Sequence, residues 1–185
     1  KSGFKTPVLF GSRSVNLREN IGLKLTENDI LNCESSSLKL DHFVAPQYIP
    51  NYNQDIVLRL LPSYQYAEFS EAQRALFFNQ SYQITNANDR TGCRLDGAPI
   101  ALEQKKMISE GVSYGSVEIA TNGLPIILLK DAPTIGGYPK IGTVFSLDLA
   151  KLAQKQPNTK VKFELMDIHQ AQKERLKFNR FFGPD

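Results

Sequence analysis

Seven short runs with strand character against only three stretches with helical spacing set the first limit on what this chain can fold into. Residues 8–10, 56–61, 82–84, 116–119, 126–129, 143–145 and 160–164 are rich in β-branched, aromatic and other apolar residues and are bounded by turn signals. Residues 70–77 and 146–154 each open on a serine placed to cap a helix, the second before Pro157, and residues 167–178 form the third helical stretch. A parallel α/β sheet needs a helix between nearly every pair of strands, and three are too few. The expected class is mainly β: a barrel or sandwich with a few peripheral helices.

Residues 34–53 are rich in serine, asparagine and proline and read as a linker. They divide an N-terminal segment, residues 1–50, from a domain over residues 51–185. A segment of about fifty residues with few apolar runs is below the size that usually builds its own core. It is therefore expected to be the remainder of an upstream domain.

Composition removes several function classes. Lys and Arg number 22 against 19 Asp and Glu, a net charge of +3, and the basic residues are scattered, which gives no footprint for nucleic acid. No apolar run approaches the ~20 residues of a membrane-spanning helix, and the opening KSGFKTPVLFGSRS lacks the apolar stretch of a signal peptide, so no membrane partner and a cytoplasmic location are expected. Cys33 and Cys93 stand far apart with no metal-ligand spacing, so both read as free thiols and no metal site is expected. His42 and His169 belong to no catalytic pattern.

Three segments combine charge, glycine and turn chemistry. In the first, Asn88, Asp89, Arg90 and Arg94 crowd around Gly92; two guanidinium groups near a carboxylate suit bidentate anion recognition, and equally suit a structural pair stitching a loop to the barrel. The second is Ile108-Ser-Glu-Gly-Val112, where Glu110 is either a general base at a turn or a solvated glutamate. The third holds Asp131 and Thr134 before Gly136, Gly137 and Tyr138. No Lys-Ser/Thr follows these glycines, which excludes a phosphate-binding P-loop. What is left is a loop whose backbone approaches a ligand, or a β-connection with an aromatic plug.

Taken in order, Phe10-Gly-Ser-Arg-Ser14, Asn88-Asp-Arg-Thr-Gly-Cys-Arg-Leu95, Ile108-Ser-Glu-Gly-Val112 and Thr134-Ile-Gly-Gly-Tyr-Pro139 resemble the allophanate hydrolase subunit 2 family, also called the biotin-dependent carboxyltransferase family, to which the C subunit of 5-oxoprolinase belongs. The resemblance spans nearly the whole chain and implies the C-terminal part of such a subunit, with a cyclophilin-like β-barrel from about Gln54 onward. The chain departs from the family's usual pattern at Thr91-Gly-Cys93, Ser63-Tyr-Gln65 and Glu118-Ile-Ala120, positions that bear on the pocket walls.

The resemblance implies a component of an ATP-dependent 5-oxoprolinase that is inactive alone. Its partner would be a homologous subunit of the allophanate hydrolase subunit 1 or kinase-inhibitor type, with a third, lactam-opening subunit, and its substrate a small amide. Asp89 and Glu110 are then the expected catalytic groups. Asn88, Arg90, Arg94, Asp131, Thr134, Gly136, Gly137 and Tyr138 are expected to contact the substrate. ATP enters in the assembled complex, and this chain alone is expected to hold no cofactor. Two alternatives stand beside this: the carboxyltransferase part of a urea carboxylase or urea amidolyase, with biotin on another polypeptide, and a non-catalytic regulator that binds a homologous kinase inhibitor.

Overall fold

The structure is a computed structural model that describes residues 3–17, 19–35, 45–102 and 108–182. It divides into two compact units, Lys1–Ile49 and Pro50–Asp185.

In the first unit, isolated bridges join Phe4 to Cys33, Leu9 to Ser12 and Asn16 to Ile21. Among its described residues no side chain is buried, as expected of a segment too short to enclose a core. The strand expected at residues 8–10 does not form. Leu9 and Ser12 instead exchange both backbone hydrogen bonds, each 2.9 Å, around Phe10 (φ 49°) and Gly11 (φ 79°). Positive φ at both central residues is the two-residue hairpin turn that glycine favours, so the apolar run is one side of a tight turn. Arg13 braces the same segment by donating to the carbonyls of Thr6 (2.8 Å) and Phe4 (3.3 Å).

The second unit runs β1 (Ile56–Pro62), α1 (Glu71–Asn79), β2 (Tyr82–Ile84), β3 (Gly92–Asp96), β4 (Glu110–Gly111), β5 (Ser116–Ile119), β6 (Pro125–Leu128), β7 (Ile135–Gly136), β8 (Lys140–Val144), α2 (Ser146–Leu152), β9 (Lys160–Leu165) and α3 (Ile168–Phe182). Seven strands close a barrel in the order β1-β8-β5-β6-β3-β2-β9, while β4 and β7 form a separate two-stranded ribbon. All barrel neighbours are antiparallel except β1 and β9. The mainly β class with peripheral helices is what the sequence indicated.

Alternation of apolar and polar residues in β1, β2 and β9 turns Leu58, Leu60, Ile84, Val161 and Phe163 into the core and leaves their neighbours outside. Helix α1 closes the core with Phe77, whose ring stacks on Phe163 at 4.5 Å between centroids. Ser70 caps this helix reciprocally: its hydroxyl accepts from Gln73 N (3.2 Å) and Gln73 Oε1 accepts from Ser70 N (2.6 Å). Ser146 does not cap α2 as expected. It is the first helical residue, and Phe145 holds the cap position without a side-chain bond, because Phe145 N is drawn onto Arg59 O at 2.7 Å and its ring is buried. Asp167 lies outside α3, where its carboxylate caps the first turn through His169 N (2.8 Å) and Gln170 N (3.2 Å).

Strands β5 and β6 are buried on both faces. Val117, Ile119 and Ile127 enter the barrel core, while Ala120, Ile126 and Leu128 form a smaller apolar cluster with Val112 and Ala132, the residues that follow β4 and precede β7. The ribbon thus covers the outer face of the barrel wall, which explains why these strands read as continuous apolar runs.

Candidate functional site

The ribbon joins two of the sequence segments. Its register sets Glu110 opposite Gly136 and Gly111 opposite Ile135, and Val112 N donates to Thr134 O at 3.0 Å. The turn expected at Glu110 and the loop expected at the glycine pair are therefore short strands that stabilise each other.

Beneath the ribbon, Glu118 of β5 and Lys140 of β8 are cross-strand neighbours, and both are buried. Lys140 Nζ pairs with Glu110 Oε1, and the Lys140 side chain is only 6% exposed against 34% for Glu110. Gln65 ties this pair to the barrel: its Nε2 donates to Glu110 Oε1 (2.8 Å) and its Oε1 accepts from Lys140 N (2.8 Å). Ser63 Oγ donates to Lys140 O, and the Tyr64 ring lies with its centroid 5.7 Å from Lys140 Nζ. A buried ammonium is tolerated here because its charge is paired and its surroundings hydrogen-bonded.

Glu118 is in a different state. Its Oε1 is buried with no hydrogen-bond partner among the described residues. Burial pushes its carboxyl above the usual carboxylate range, and the charge of Lys140 only partly offsets that.

Gly136 packs directly on this group: a Cβ there would collide with Glu118 Oε1 and come within 3.0 Å of Val112 Cγ1. A Cβ on Gly137 would meet only Ser109 Oγ, at 3.3 Å. Neither glycine has a positive φ, so a left-handed turn is not the reason for either. Tyr138, 38% exposed, follows them.

The remaining predicted residues lie at the turn into β3, and the register sets Arg94 opposite Ile126, which is itself opposite Glu118. Arg90 holds Asp131 bidentately, Nε to Oδ2 at 2.7 Å and Nη2 to Oδ1 at 3.1 Å, and Asp131 N donates to Arg90 O at 2.9 Å. Asp89 Oδ1 accepts from Thr91 N (2.8 Å) and Gly92 N (3.1 Å), and Asn88 Oδ1 accepts from Arg94 N (2.7 Å). These side chains shape the turn that enters β3, on which Arg94 is exposed and Cys93 buried. Burial pushes the Cys93 thiol up to about 12, so it stays protonated and unreactive at neutral pH.

Glu110 and the glycine pair are thus brought together, and so are Arg90 and Asp131. Lys140 was not among the residues expected in a site, and Gln65 and Glu118 entered only within segments noted as bearing on the pocket walls. The available signal was a charge inside an apolar strand: all four residues of β5 are buried, and Lys140 opens a strand with four buried positions of five.

Comparison with known proteins places the chain in a family. The chain is 34% identical over 183 residues to the C subunit of 5-oxoprolinase from Haemophilus influenzae, covering 96% of this chain and 58% of that protein. Identity to the 5-oxoprolinase C subunit of Escherichia coli is 31%, over 97% of the chain and 59% of the relative. A putative urea carboxylase of Emericella nidulans is 26% identical over 88% of the chain and 14% of its own length. The chain therefore spans a little under three-fifths of the 5-oxoprolinase relatives. The crystal structure of TTHA0988 superimposes with a TM-score of 0.72 at 28% identity, covering 88% of this chain and 31% of that one. Residues 1–165 match the family described as carboxyltransferase domain, subdomain A and B. With that match covering most of its length, the chain belongs to the carboxyltransferase domain (subdomain A and B) family.

Proposed function

We propose that this chain is part of a subunit of the 5-oxoprolinase type, which opens a small cyclic amide together with a homologous partner subunit and with ATP supplied in the assembled complex. The observation that carries the reading is Glu110, a partly exposed carboxylate anchored by a buried lysine and a buried glutamine beside two glycines. Opening a lactam breaks its C–N bond, adds oxygen to the carbonyl carbon and returns a proton to nitrogen. A fixed carboxylate is suited to bind the amide N–H and to handle that proton. Arg94, exposed on β3, supplies a planar fork for a substrate carboxylate, while Tyr138 and the backbone of Gly136 and Gly137 provide a wall. Asn88, Asp89 and the Arg90–Asp131 pair hold the turn behind Arg94.

The test is glutamate release from 5-oxoproline and ATP. The assembled complex is expected to release it and the isolated chain is not, because the partner subunits complete the catalytic set. Absence of release by the complex would overturn the reading.

The likeness to a putative urea carboxylase favours one second reading, carboxyl transfer from biotin carried on another polypeptide. Carboxylation of urea by the complex with bicarbonate, ATP and a biotinylated carrier would establish it instead.

A further inference from the structure

Of Gln65, Glu110, Glu118 and Lys140, only Glu110 reaches the surface. Both hydrogen bonds to its carboxylate among the described residues fall on one oxygen, Oε1, from Lys140 Nζ and Gln65 Nε2. Gln65 is itself immobilised, because its Oε1 accepts from Lys140 N, and Lys140 sits at the start of a barrel strand. The glutamate is therefore clamped by one oxygen to the barrel wall and by its backbone to the ribbon. Its other oxygen, Oε2, is the acceptor left for a ligand.

The charges around it point to the kind of ligand. The Lys140 ammonium is consumed by Glu110, and Glu118 is buried beneath them with no cation of its own among the described residues beyond that lysine. These four residues therefore hold no spare cation for an anion at Glu110 itself, and a free carboxylate oxygen there suits an N–H donor. Gly137 adds an exposed stretch of backbone with no side chain, where a flat ligand meets little obstruction.

We infer that Lys140 and Gln65 are positioning residues that hold Glu110 by Oε1 so that its Oε2 accepts the N–H of a planar amide or lactam group, laid against the backbone at Gly136 and Gly137. This rests on the 5-oxoprolinase-type reading for the ligand's class and assigns the atoms that would recognise it.

Two simple probes isolate the N–H. 2-Pyrrolidone and N-methyl-2-pyrrolidone share ring and carbonyl, and only the first can donate. Their binding to the full-length protein in its assembled complex is to be compared by ligand-observed NMR, which needs no turnover. 2-Pyrrolidone is expected to bind about tenfold or more tightly than its N-methyl form, the loss expected when a hydrogen bond to a charged acceptor cannot form. In Lys140→Met and in Gln65→Leu that preference should shrink to about twofold or less, because a carboxylate held at Oε1 by one partner instead of two can swing about that contact and no longer presents Oε2 in one direction. Should Lys140→Met fail to fold, Gln65→Leu decides, since it leaves the Lys140–Glu110 pair in place. Equal binding of the two lactams, binding of neither, or a preference that survives Gln65→Leu would each overturn the assignment. Glutamate release by the same complex is scored separately, so the recognition atoms and the catalytic reading fail independently.

Discussion

The carboxyl of Glu118 occupies the space in which Gly136 would carry a side chain. Gly136 is therefore a packing requirement of the barrel wall, while Gly137, one residue on, faces open space apart from Ser109 Oγ at 3.3 Å. Gly136→Ala is expected to destabilise the chain by about 1–3 kcal/mol through overpacking against the buried Glu118 carboxyl and Val112. Gly137→Ala should stay within about 0.5 kcal/mol of the parent. It is nevertheless expected to lower turnover of the assembled enzyme, because the added methyl enters the proposed ligand surface. Urea unfolding of both variants, with steady-state rates for the second, checks the pair. Normal turnover by Gly137→Ala would remove that glycine from the ligand surface.

Glu118 should leave its mark on stability against pH. Its folded-state pKa lies above the unfolded value, owing to burial, so the folded chain binds more protons than the unfolded chain between the two. Stability attributable to this group is present below the usual carboxylate range and is lost as pH rises through the raised value. Glu118→Gln keeps the shape and cannot ionise. The variant is expected to gain on the parent as pH rises from about 4 to about 8 in denaturant titrations. A difference between the two that does not change with pH would contradict it. Glu174 shifts the other way, held low by its hydrogen bond from Arg59, but it is common to both proteins and cancels.

Arg59 joins β1 to both C-terminal helices. Its Nε and Nη2 hold Asp148 at 2.8 and 2.7 Å, its backbone N donates to the same carboxylate at 3.1 Å, and its Nη1 pairs with Glu174. Asp148 is almost fully buried, and Lys151, 3.5 Å away, is mostly exposed. Arg59→Met should cost about 3–5 kcal/mol by stranding that carboxylate. Combining it with Asp148→Leu should recover much of the loss, since no buried charge is left unpaired. Unfolding free energies in a double-mutant cycle measure this directly. A purely additive cycle would mean the pair is not coupled.

Arg90 and Arg94 are expected to separate. The Arg90–Asp131 pair is exposed, so Arg90→Ala should change stability by no more than about 1 kcal/mol. Arg94→Lys should leave the fold intact and reduce kcat/KM of the assembled enzyme by roughly ten- to hundredfold, because an ammonium cannot reproduce a two-point fork on a carboxylate. Unchanged kinetics would assign Arg94 to the surface alone.

Much of the barrel was legible in the order of residues. Strands β1, β2, β5, β6, β8 and β9 announce themselves by β-branched and apolar runs, and α1 by its reciprocal Ser70–Gln73 cap, because local propensity and capping act within a few residues. Three elements were not legible. Strand β3 follows the turn residues Asn88, Asp89 and Arg90, carries Arg94 within it and reads as a loop, while β4 and β7 are two residues each and exist only by pairing with one another. The same division holds for the site. Glu110, Gly136 and Gly137 stood out as residues that combine charge or bare backbone with turns. Their adjacency, and the buried partners Gln65, Glu118 and Lys140 that hold them, came from closure of the barrel. Long-range register set Glu118 beside Lys140 and folded the ribbon over both. A hydrogen bond or ion pair between residues far apart in the chain leaves little local trace in composition or period, so only the tertiary structure could decide which charge met which.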